Sequence, residues 1–124
     1  KYNILGISNE LPKWNYNFYN ELIKCKMSLN LSRGKPLKYT SSNRIAALIG
    51  NGIFTFIDEK TKFKHYFNEN EVGFYKNLND LGNKIEYMLS NPKKIDEYGK
   101  NGKSKYFKLF NNKIITKNII ENTF

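Results

Sequence analysis

The sequence predicts an α/β domain in which helices cover both faces of a parallel sheet. Three observations carry this. Short β-branched or aromatic runs alternate with stretches of helical period along most of the chain, the pattern of a wound α/β unit. Residues 53–57, Ile-Phe-Thr-Phe-Ile, show no polar alternation, as expected of a strand buried on both faces. Helix starts are punctuated by capping residues: Ser41-Ser42-Asn43, Asn77 and Asn91-Pro92.

Taken in order, residues 1–8 read as a strand and residues 11–15, with Pro12 and Trp14, as a loop. Residues 15–26 place Phe18, Leu22 and Ile23 at helical spacing. Residues 27–31 form a strand-length apolar run, followed by a Gly- and Pro-containing loop at 32–40. Residues 44–49 read as a short helix stopped by Gly50-Asn51-Gly52. After the strand at 53–57 come a turn and short helix at 58–67 and a strand at 71–75. Leu78, Leu81, Ile85 and Met88 share one helical face. Pro92 opens a further helix whose Ile95, Tyr98, Tyr106 and Phe110 lie together, with Gly99 and Gly102 each expected to weaken it by about 1 kcal/mol. A closing helix within 111–124 carries Ile114, Ile115, Ile119 and Ile120.

The 124 residues fit one domain, and 40% hydrophobic and 15% aromatic content argue against disorder. The chain begins at Lys1 rather than Met, which suggests a piece of a longer protein. The net charge of +10 is spread along the chain, and Lys and Asn dominate its polar positions. That is the signature of an AT-rich genome; the competing reading is a binding module for nucleic acid or an anionic surface. The single cysteine, Cys25, excludes an internal disulfide and reads as an inert cytosolic thiol. One Cys and one His cannot build a zinc site, and no apolar run has the length of a membrane span.

Ligands of open α/β sheets bind outside the carboxyl ends of the strands. The loop after residue 31 holds Ser32, Arg33, Gly34 and Lys35 and leads through Thr40, Ser41 and Ser42 into the helix of Arg44. Free N–H groups at a helix start favour an anion. Both arginines of the chain, against a total of 21 Lys and Arg, fall in this segment, and the guanidinium fork grips phosphate in a way that Lys cannot. The competing roles are an ion pair for Arg44, solvation for Arg33 and Lys35, and plain capping for Ser41 and Ser42. His65 reads as a surface residue, and the adjacent Asp58 and Glu59 as a poor acid/base pair.

Residues 41–52, Ser-Ser-Asn-Arg-Ile-Ala-Ala-Leu-Ile-Gly-Asn-Gly, resemble the C-terminal domain of group 1 glycosyltransferases, specifically the spore-maturation CgeB-like branch. That branch reads Arg-x-Phe-Glu-Ala-x-Ala-x-Gly, and Arg44 and Gly52 match its ends. Residues 67–75, the helix at 78–89 and the segment 92–110 with Gly102 are similar to the family's downstream strand and helices. Residues 27–34 are similar to its upstream strand and loop. Two positions depart: the family Glu falls on Ala47, and the earlier Glu of a related motif falls on Tyr39.

The resemblance implies a Rossmann-like three-layer sandwich, the C-terminal half of a GT-B fold, spanning residues 1–124 as one nucleotide-sugar-binding domain. It implies a metal-independent transferase of glycan or surface-polysaccharide synthesis that needs no cofactor beyond its nucleotide-diphosphate sugar. Donor contacts are expected from Arg33, Lys35, Tyr39, Ser41, Ser42, Asn43 and Arg44. The catalytic base and the glycan, lipid or protein acceptor would belong to an N-terminal domain, so no catalytic residue is assigned. The expected location is cytoplasmic, with peripheral attachment at the inner membrane face as an alternative; nucleic acid is not an expected partner. With Ala47 in place of Glu, a catalytically inactive scaffold is the third reading.

Overall fold

The computed structural model describes residues 11–32, 34–40 and 42–123. The strand expected at 1–8, together with Arg33 and Ser41, lies outside the described residues. Three parallel strands, β1 (Met27–Asn30), β2 (Phe54–Asp58) and β3 (Gly73–Tyr75), form a sheet in that order. Met27 pairs with Phe54, Asn30 with Ile57, and Ile57 in turn with Phe74. The helices are α1 (Asn15–Leu22), α2 (Asn43–Ile49), α3 (Leu78–Leu89), α4 (Pro92–Phe110) and α5 (Asn112–Thr123). The short helix expected between β2 and β3 is a pair of 3-10 turns, Glu59–Thr61 and Phe63–His65.

β2 is the buried centre, as its unbroken apolar run requires. Its residues alternate between two cores. Ile57 joins Phe74 of β3, Ile45 and Ile49 of α2, and Phe63, Phe67 and Val72 from the β2–β3 connection. Phe54 and Phe56 join Tyr75, Leu81 and Met88 of α3, and Ile95 of α4. Both crossovers therefore pack on one face and α3 on the other, which is the arrangement that two connections of the same hand give to a sequential strand order. Thr55 is fully buried on β2, and its hydroxyl is satisfied by donating to the Ile53 carbonyl at 2.8 Å. Gly73 opens β3 where a Cβ would stand 2.5 Å from the Phe56 ring, so glycine there makes room for that ring.

α4 serves both cores. Tyr98, near its start, packs with Ile95 and Phe54, whereas Tyr106 and Phe110 pack against the α2 side. Between these contacts the helix lies on the chain as it enters β2 and β3. A Cβ on Gly99 would stand 2.1 Å from the Gly52 carbonyl oxygen, and one on Gly102 2.4 Å from that of Glu71. The two glycines are thus contact points with backbone, a role that outweighs the loss of helix propensity expected from sequence.

The helix ends follow the capping chemistry. The Asn77 side chain accepts from Asp80 N–H at 2.9 Å, and the Asp80 carboxylate accepts from the N–H of Lys76, the residue before the cap, at 2.9 Å, a relative of the capping box. That second bond, followed by the nearby Lys84, holds the Asp80 carboxyl below the usual range. Its contribution to stability is present above the ordinary carboxylate pKa and is lost as pH falls through the depressed one.

α1 stops at Leu22, earlier than the expected residue 26, because Cys25 N–H turns back to the Leu22 carbonyl at 2.9 Å to start β1. Phe18 and Leu22 pack on Leu48 and Ile53, but Ile23 is exposed. The isoleucines of α5 are likewise exposed and no residue of that helix is buried. Among the described residues no helix is long and apolar enough to cross a membrane.

Candidate functional site

The carboxyl edge of the sheet is formed by Asn30, Asp58 and Tyr75, the last residues of the three strands. The described residues between β1 and α2 (31, 32, 34–40 and 42) lead from this edge to the start of α2. This loop is tied to the segment after β2. Tyr39 N–H donates to the Thr61 carbonyl at 2.8 Å, and the Tyr39 hydroxyl meets His65 Nδ1 at 2.8 Å. Tyr39 (φ 57°) and Lys62 (φ 62°) on either side of this tie hold left-handed backbone, a conformation that costs a bulky L-residue about 1–2 kcal/mol. The Tyr39 ring also meets Tyr66 edge-on and remains half exposed.

Asp58 and Glu59 have structural work at this edge. Asp58 accepts from Lys60 N–H at 2.8 Å and its carbonyl accepts from the Thr61 hydroxyl at 2.7 Å. Glu59 pairs with Lys64 at 3.2 Å; that hydrogen-bonded carboxylate holds the lysine above its usual range. Burial, with a smaller effect from Asp58, pushes the Tyr75 phenol up, so it stays neutral. Both carboxylates thus have partners within the β2–β3 connection.

Arg44 sits on the first turn of α2, exposed at this edge, and forms no ion pair among the described residues. Asn43 beside it and Lys35 in the loop are also exposed. Ser42 is the N-cap of α2, its Oγ accepting from Ile45 N–H at 3.4 Å while the Ser42 carbonyl takes the same N–H at 2.9 Å. The hydroxyl bond is the longer of the two. Ser42→Ala should therefore cost only about 0.5 kcal/mol, the low end of capping losses, as read from urea unfolding. α2 has seven residues, so its dipole is small and the Arg44 side chain is the stronger source of positive charge.

Ala47, where the resemblance places a family Glu, packs against the cluster of Leu22, Leu48 and Ile53 together with Phe18 and Cys25. A small apolar residue suits that contact with α1. Asn30 was not singled out from sequence, yet it is buried and its Oδ1 has no partner among the described residues. The available signal was a polar residue between Leu29 and Leu31 in a strand-length run. A surface depression also runs along α5, lined by Asn112, Lys113, Thr116, Lys117, Ile120 and Glu121. One helix supplies all of its lining, so it lacks the enclosing walls of a small-molecule site.

The order of elements and the parallel sheet agree with a sugar-transferase domain. No curated protein and no solved structure matches the chain. The sequence model of the glycosyl transferase-like family, however, matches residues 2–121, and the chain belongs to that family.

Proposed function

We propose that the chain binds the nucleotide-diphosphate part of a sugar donor at the carboxyl edge of its sheet, as the C-terminal half of a metal-independent transferase. The observation that carries this is Arg44, an exposed guanidinium with no carboxylate partner among the described residues, on the first turn of the helix beside the β1 loop. Lys35, Ser42 and Asn43, like Arg33 and Ser41, belong to the same stretch of chain by position in sequence. Tyr39 holds the loop to the segment after β2 and keeps a half-exposed ring. In this reading the acceptor and the catalytic base come from a second domain, and the CgeB-like resemblance gives the family branch.

Titration with UDP, GDP and their sugars, followed by amide NMR, should perturb residues 42–44. Arg44→Ala should weaken the best-bound nucleotide by about 10–100-fold, the worth of a hydrogen bond to a charged group. Arg44→Lys keeps the charge but loses the fork, and should recover only part of the affinity. Unperturbed spectra at millimolar nucleotide would sink the proposal.

A further inference from the structure

Asn30 ends β1 with an amide oxygen that has no partner among the described residues. The residue is 7% exposed, and its Oδ1 is buried with no hydrogen bond among the described residues. A buried carbonyl oxygen without a donor is costly, and native chains seldom keep one without a use for it. The other buried polar side chains, Thr55 and Thr61, each donate to a backbone carbonyl. Across the register on the same sheet face stand Ile57 and then Phe74, so an apolar side chain would suit position 30 and remove the deficit.

Its place gives the deficit a meaning. Asn30 is the carboxyl-terminal residue of β1, where ligands of parallel sheets bind. The next two residues, Leu31 and Ser32, are exposed, so the acceptor lies one residue inside the surface. An amide oxygen needs a donor. A diphosphate carries none when ionised, but ribose and sugar rings carry several hydroxyls.

We infer that Asn30 accepts a hydrogen bond from a hydroxyl of the bound nucleotide sugar, an inference that rests on the donor-binding reading above. The Oδ1 is closed to solvent in the free chain, so the contact requires the Asn30 amide to turn toward the exposed Leu31–Ser32 side as the ligand binds. The contact then relieves the deficit that the free chain carries.

The test compares the wild-type chain with Asn30→Leu, using UDP, 2′-deoxy-UDP, UDP-glucose, GDP and GDP-mannose in calorimetric titrations, with thermal melts of both proteins free of nucleotide. The variant should melt no lower than wild type, yet bind the best probe about tenfold or more weakly. If the hydroxyl is ribose's, the deoxy probe reproduces the loss in wild type. If it is the sugar's, only the nucleotide sugars lose affinity. In wild type itself, the Asn30 side-chain amide resonances should shift on saturation, a readout that survives a variant that does not fold. Equal affinity of variant and wild type, or an unmoved Asn30 amide, overturns the assignment and leaves donor binding intact. Failure of wild type to bind any probe overturns both.

Discussion

Gly99→Ala is expected to destabilise the chain by about 3 kcal/mol, although helix propensity alone predicts a gain of about 1 kcal/mol. The two effects oppose each other and the contact distance decides. The added Cβ would stand 2.1 Å from the Gly52 oxygen, 3.1 Å from its carbonyl carbon and 3.3 Å from the Phe54 nitrogen. All three are backbone atoms of the turn into β2, so no side chain can rotate out of the way. Gly52 itself has φ +79°, which commits that turn to a left-handed shape open to few residues. Relief requires α4 to lift from the sheet and give up part of both cores. Gly102→Ala, 2.4 Å from the Glu71 oxygen, should act in the same direction. The pair should be non-additive, because lifting α4 once relieves both contacts. Urea unfolding of the two single variants and the double decides this; a stabilised Gly99→Ala would show that α4 does not touch the turn.

Phe74→Ala should cost about 3–5 kcal/mol, the range for an emptied aromatic site in a core. Phe74 is 1% exposed and packs among Ile57, Phe63, Phe67 and Val72. β3 has three residues, so few other side chains hold this strand against β2. Set against a typical total of about 5–15 kcal/mol, the loss would leave a measurable unfolded population at ambient temperature. Phe74→Leu keeps most of the volume and should cost no more than about 1.5 kcal/mol. Phe107→Ala, at a half-exposed ring of α4, should stay within about 0.5 kcal/mol and serves as the control in thermal melts.

Much of this fold could be read from local chemistry. β2 announced itself by an apolar run without alternation, and α3 and α4 by Asn77, Pro92 and their periodic apolar faces. Facts of tertiary contact escaped. Gly99 and Gly102 look like defects in a helix until the turns at Gly52 and Glu71 are seen to press on them. Ile23 and the α5 isoleucines follow a helical period but remain exposed, since a period gives a stripe and says nothing of its partner. At the candidate site, the segment with Arg44 was legible because arginine is rare in this chain. The bond between Tyr39 and His65 was not, for it joins two loops brought together only by the sheet. Asn30 went unnoticed because its interest lies in a missing partner, and a sequence does not list partners.

The position of α4 across the amino ends of β2 and β3 also bears on the order of events during synthesis. All three strands leave the ribosome before Pro92–Phe110 does, yet one end of the sheet stays uncovered, and each core lacks a wall, until that helix arrives. The nascent chain therefore carries its apolar strands unsealed until that helix emerges, and its arrival locks both cores in one step.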